Sequence, residues 1–184
     1  MRLFCALMLC ISFLGGCSRD DRGSVSTKSM VTAKETYMID FPVGWKVEKV
    51  ENPLMPGAIV EQASSDDGAV LMVGSSMEAF EYTKHYQNIN NDLAMLVADN
   101  LYTPLIQSAC RNAGLGGRPI ITPLNDGKSI QALYVCDDEI VWITTVFGRS
   151  NAYMIIASGD KHNKKHADAV MKSRNTFRLV EERL

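Results

Sequence analysis

His162 and His166 stand four residues apart in the stretch Lys161-His162-Asn163-Lys164-Lys165-His166. On a helix that spacing puts two imidazoles on one face, an arrangement able to hold a metal ion. Lys161, Lys164 and Lys165 surround the pair and repel a cation, and no third ligand stands nearby. The segment therefore reads as the solvated basic face of a helix. The same cluster, Lys161, His162, Lys164, Lys165 and His166, is a candidate surface for an acidic partner or anionic lipid head groups. Asp66 and Asp67 also lack a third ligand at loop-motif spacing, so they read as a hairpin tip. Cys110 with a histidine would supply nucleophile and base, but no motif surrounds it, and no Gly-x-Ser-x-Gly elbow occurs. Gly114-Leu115-Gly116-Gly117 is a phosphate loop only in outline. Pro119 and a strand-like run follow, where a phosphate cradle needs a helix start. The chain reads as non-enzymatic, with no metal and no cofactor.

The one residue with a specific chemical context is Cys17. Arg2 precedes the apolar run Leu3–Leu14, and Gly15-Gly16 precede the cysteine. A basic start, a short apolar run and small residues form a secretory leader. The run falls short of the roughly 20 residues that span a bilayer. Leu14-Gly15-Gly16-Cys17 resembles the lipobox of bacterial lipoproteins. The resemblance implies cleavage after residue 16, acylation of the Cys17 thiol and acylation of the new amino terminus. Each buried acyl CH₂ contributes about 0.8 kcal/mol, so several chains give a lasting anchor. Ser18 in place of Asp implies sorting to the outer membrane, on its periplasmic face.

The whole chain of 184 residues carries a net charge of −2, and loss of Arg2 with the leader makes it slightly more negative. No basic face points to nucleic acid. Cys5 and Cys10 lie in the leader, which leaves Cys110 and Cys136. Beyond the inner membrane an even pair reads as a disulfide. Two buried free thiols are the alternative, because sequence does not show whether the Cα atoms come within reach.

Residues 17–34 are polar and read as a lipidated flexible tether, with the folded domain at 35–184. Tyr37–Phe41 is a short strand, Pro42-Val43-Gly44 turns the chain, and Trp45–Glu48 alternates as a half-buried strand. Asn52-Pro53 and Pro56-Gly57 break it. The runs 58–63 and 69–73 flank Ser64-Ser65-Asp66-Asp67-Gly68, a hairpin signal. Ser75-Ser76-Met77-Glu78 has capping-box spacing, so a helix is expected there, with Phe80 and Tyr82 near its front. Leu93, Leu96, Val97 and Leu101 repeat at three and four residues as one helical face. Pro104 ends that helix or opens a short one. From Arg118 onward the pattern is β-rich, with turns at Asn125-Asp126-Gly127, Asp137-Asp138 and Arg149-Ser150-Asn151. Short links demand antiparallel neighbours, hence a meander. Asp160 is the expected N-cap of a last helix reaching Phe177, with Ala167, Val170, Met171 and Arg174 inward. Met72, Met77, Met95, Met154 and Met171 read as core filler, and Trp45 and Trp142 as core. Two β-blocks, a helical stretch and a final helix make an α+β domain.

Tyr37-x-Ile39-x-x-Pro42-x-Gly44-Trp45, the hairpin–helix–meander order and the closing Thr176-Phe177 together resemble the PsbP-like superfamily, which includes the DcrB-like lipoproteins. That resemblance implies an antiparallel β-sheet packed between helices, an α/β/α sandwich, and a non-catalytic accessory role. The expectation is thus a membrane-anchored binding module whose partner is an envelope protein. An immunity protein that neutralises a periplasmic toxin is the alternative.

Overall fold

The computed structural model describes residues 34–52, 59–83, 88–124, 127–149 and 151–182. The leader, Cys17 and the tether as far as residue 33 lie outside them. So do Pro53, Pro56 and Gly57, the turn residues Asn125 and Asp126, and Ser150.

Among the described residues ten strands and four α-helices follow one another, the helices in two layers around an antiparallel sheet. The strands are β1 Lys34–Met38, β2 Lys46–Glu51, β3 Ile59–Ser64, β4 Val70–Ser75, β5 Gly114–Leu115, β6 Ile120–Leu124, β7 Gly127–Cys136, β8 Glu139–Phe147, β9 Ala152–Asp160 and β10 Arg178–Glu182. The helices are α1 Met77–Thr83, α2 Asn91–Val97, α3 Thr103–Ala109 and α4 Lys164–Thr176. The main sheet runs β2-β3-β4-β9-β8-β7-β5, and β6 pairs with the same side of β7 further along. Every pairing is antiparallel. Pro123 sits on the edge strand β6, where its missing N–H disrupts no central ladder.

The first β-block is the expected hairpin. Ser65 N–H donates to Ala69 O at 2.9 Å, and Gly68 closes the tip at φ 87°, a conformation that only glycine adopts without strain. At the domain's opening, Trp45 N–H donates to Pro42 O at 3.2 Å with Gly44 at φ 82°. That is a type II turn, which requires φ > 0 at its third residue. The meander is β7-β8-β9, and its tight turn at Asp137-Asp138 puts Asp137 at φ 52°. Aspartate tolerates this region better than most side chains.

Alternation divides the core. On one sheet face Ile130, Tyr134, Ile143, Met154 and Ile156 pack beneath α1, α2 and α3. On the other face Leu71, Val73, Tyr153, Ile155 and Ala157 pack against Val170 and Phe177. The result is the α/β/α sandwich expected from the sequence.

Four elements differ from expectation. The cap of α1 is Ser76, one residue later than the capping box would place it, and its Oγ accepts from Ala79 N–H at 3.2 Å. The helical stretch 91–109 is continuous, but Ala98–Tyr102 is wound as a π-turn in which Thr103 N–H reaches Ala98 O. Pro104 has no N–H for the Asn100 carbonyl, and the wider turn absorbs that missing bond. The extra residue rotates the apolar face, so Tyr102 rather than Leu101 is fully buried. Its hydroxyl donates to Thr145 Oγ1 at 2.5 Å. The last helix begins at Lys164, with Asn163 as its cap accepting from Lys165 N–H at 3.1 Å, because β9 extends through Asp160. Finally, the chain continues past Phe177 as β10, which pairs with β1 in a separate two-stranded ribbon.

That ribbon lies on the α4 side. Tyr37, Tyr153 and Phe177 form an aromatic triad, with Tyr37 stacked on Phe177 at 5.6 Å and edge-on to Tyr153 at 5.3 Å. Tyr37 Oη donates within reach of Glu61 Oε2 at 3.0 Å and Val73 O at 3.2 Å. Burial, then the neighbouring Glu61, pushes its phenol pKa well up. Tyr153 Oη donates to Glu35 O at 2.9 Å. Aromatic packing and two phenol hydrogen bonds thus fasten the ribbon to the sheet.

Candidate functional site

Lys161, His162, Lys164 and Lys165 of the basic cluster are exposed as expected, but His166 is not part of that surface. His162 precedes the helix, with its N–H donating to Asp160 Oδ1 at 2.7 Å. It therefore shares no helix face with His166. His166 is buried at 6% exposure, not solvated. Lys161 pairs with Asp138 at 2.9 Å and donates to Asp137 O at 2.7 Å. Lys161 in turn holds the Asp138 carboxyl below its ordinary pKa. Lys164 pairs with Asp168 at 2.6 Å. Lys161, Lys164 and His166 are thus engaged locally, while Lys161 and Lys164 stay exposed beside His162 and Lys165.

His166 is instead the centre of a clasp between α4 and the β3–β4 hairpin. Its Nε2 lies 2.8 Å from Asp67 Oδ2, and Ser65 Oγ donates to Asp67 Oδ1 at 2.6 Å. The Asn163 amide nitrogen lies 3.0 Å from the same Nε2, and Nδ1 is buried with no hydrogen-bond partner among the described residues. The first turn of α4 rests on Gly159, where an added Cβ would stand 3.2 Å from His166 Cβ. Serine, aspartate and histidine are present, but the carboxylate lies between the other two. A nucleophilic triad needs the imidazole in that place, so this is a clasp and not an activated serine. The Ser65 bond, then His166, lowers the Asp67 pKa. A lowered folded pKa means the contribution is present above the ordinary carboxylate value near 4 and is lost as pH falls through the lower one. An Asp67→Asn variant should therefore be less stable than wild type at pH 7 and lose less on acidification. Urea midpoints of both proteins at pH 7 and pH 3 read this; parallel losses would contradict it.

Cys110 and Cys136 are bonded, with Cα atoms 6.3 Å apart. The bond joins the end of α3 to the end of β7. Asp137 lies close enough to complete a three-ligand cluster with the two sulfurs, but sulfurs bonded to each other are not thiolate ligands.

The structure instead presents a groove that the sequence reading did not identify. Helix α4 covers the β4–β9 part of its sheet face and stops short of β7 and β6. The uncovered strip forms the floor of a cavity of about 210 Å³. Leu133 and Trp142 are a cross-strand pair on this floor. Val170 and Met171 of α4 make one wall, and Ile120 of β6 stands on the other side. Trp142 is only partly buried here, and Met171 and Ile120 are 38% and 55% exposed. Trp142 and Met171 are thus groove residues and not closed core, and Met77 is likewise exposed. Met72 and Met154 are buried. The neutral polar groups of the floor satisfy one another. Thr122 Oγ1 donates to Gln131 Oε1 at 3.3 Å, and Gln131 Nε2 to Thr144 Oγ1 at 3.2 Å. Two arginines, Arg118 and Arg174, also line the cavity. Concave, mainly apolar walls with few polar groups are binding chemistry.

No family model matches the sequence, and no curated protein matches it. Solved structures do. Cyanobacterial PsbP (CyanoP) from Synechocystis sp. PCC 6803 superposes with a TM-score of 0.57 at 14% identity, over 86% of this chain and 98% of its own. The domain has the PsbP-like fold. LpqN of Mycobacterium tuberculosis, described as involved in cell envelope biogenesis, superposes with a TM-score of 0.51 at 12% identity, over 80% of this chain and 85% of its own. In this PsbP-like domain no helix among the described residues is long and apolar enough to cross a membrane.

Proposed function

We propose that this protein is a lipid-anchored binding module of the bacterial envelope, held at the outer membrane by acylated Cys17 and facing the periplasm. The observation that carries the reading is the open groove beside α4, whose apolar lining suits capture and not bond-making. The lipobox-like Leu14–Cys17 supplies the anchor, and the polar stretch behind it supplies reach. Tethering raises the effective concentration for a partner at the same membrane. The similarity of fold to LpqN, a protein of envelope biogenesis, supports the envelope as its place of work. The module performs no chemistry of its own and serves an envelope complex as an accessory. Affinity capture from gently solubilised envelopes, with a Cys17→Ser control, tests the reading. One stoichiometric partner, lost in the control, is expected; equal recovery with both proteins would overturn the role of the anchor.

A further inference from the structure

Arg174 is the outlier in the groove. It is 8% exposed, and its guanidinium donates twice, from Nε at 3.2 Å and Nη2 at 2.8 Å, to the neutral Oδ1 of Asn175. No carboxylate pairs with it among the described residues. Burial pushes its pKa down, as expected of a cation without a counter-ion. A guanidinium nonetheless stays charged in proteins, and buried charges are ordinarily paired. Arg118, across the groove, is exposed and carries no ion pair among the described residues. Among the described residues no acidic side chain lines the cavity. The site therefore lacks one negative charge next to an apolar floor.

We propose that the groove binds a single-chain carboxylate amphiphile, a fatty-acid-like monoanion, with its chain over Leu133 and Trp142 and its head group on Arg174 and Arg118. A carboxylate matches the planar guanidinium fork in shape. Water screens the charge of the exposed Arg118, so a single negative charge balances the one buried guanidinium, whereas a phosphate monoester brings about −1.5 to −2. The volume of about 210 Å³ is below the roughly 300–1,000 Å³ of pockets for drug-sized ligands. It fits one chain segment and leaves the remainder to run out past the exposed rim at Met171 and Ile120. This inference rests on the binding-module reading and names the ligand class of its groove.

The test uses the full-length lipidated protein in a non-ionic detergent. Titration with 11-bromoundecanoate reads contact with the groove floor, because bromine quenches an adjacent indole. Saturable quenching is expected in wild type and is absent in Trp142→Phe, where Trp45 remains as the reference. Arg174→Gln should weaken binding about tenfold or more, and Arg118→Gln several-fold. 11-Bromoundecanol, which keeps the chain and loses the charge, should bind at least tenfold more weakly than the acid. Acid and alcohol binding alike, or no saturable quenching in wild type, would overturn the proposal. Dodecyl phosphate displacing the probe more tightly than dodecanoate would overturn the carboxylate assignment. Should Arg174→Gln fail to fold by circular dichroism, the exposed Arg118→Gln and the acid–alcohol pair decide the question. A failed titration with successful partner capture would remove the ligand and keep the module. A successful titration with failed capture would do the reverse.

Discussion

Replacing Phe177 with alanine should cost about 3–5 kcal/mol, the range for a fully buried phenylalanine. The ring is 0% exposed and stacks at 14° on Tyr37, with Tyr153 at 6.0 Å. It sits where α4 hands the chain to β10, so its removal opens a cavity beneath both. Tyr37 and Tyr153 would then lose the surface that positions their hydroxyls on Glu61 and on the Glu35 carbonyl. Among the described residues the β1–β10 ribbon has two strands, and an isolated two-stranded ribbon is marginal in water. The variant should therefore release the ribbon before the main sheet melts. Urea unfolding followed by near-ultraviolet circular dichroism measures the loss. A change below about 1 kcal/mol would mean that the ribbon is held by other contacts.

Removing both cysteines of the Cys110–Cys136 pair should cost about 3–4 kcal/mol in the chain-entropy model. The sequence separation is 26, which sets the closed loop and hence the magnitude. Both residues are buried, at 7% and 6%, so alanine also leaves small voids. The bond ties the helical layer to β7, the strand that carries the groove floor. Reductant should lower the denaturant midpoint of wild type and leave the Cys110→Ala/Cys136→Ala protein unmoved. Equal midpoints for the two proteins in oxidising buffer would contradict the assignment.

The parts of this fold that were legible in the sequence are those whose signals are local. The glycine of the Ser64–Gly68 loop and the Asp137-Asp138 turn each announce a hairpin, and both hairpins form. The misread parts depend on distant residues. Tyr102 enters the core because the π-turn before Pro104 adds a residue to one helical repeat, which a fixed 3.6-residue period does not anticipate. That turn is held by Tyr134, whose hydroxyl donates to Ala98 O at 3.3 Å, 36 residues on. His166 looked like surface because its lysine neighbours are surface. Its burial depends on Asp67, brought over by the hairpin. Trp142 reads as core on composition alone, since nothing nearby in sequence tells how far across the sheet α4 reaches. The groove is a shortfall of one helix over β7 and β6, and no local pattern encodes a shortfall. Arg174 carries a readable trace, a basic residue on an inward position of α4 beside Val170 and Met171.

The central claim is that an anchored module meets its partner at the face around the groove rim. The most direct measurement places a photo-crosslinking residue at Met171, on the groove rim, or at Ser108, exposed on α3 across the sheet, before the envelope capture. The account predicts one discrete adduct from Met171, none from Ser108, and loss of the Met171 adduct when Cys17→Ser removes the anchor. Adducts from Ser108 alone, or a Met171 adduct that persists without the anchor, would contradict it.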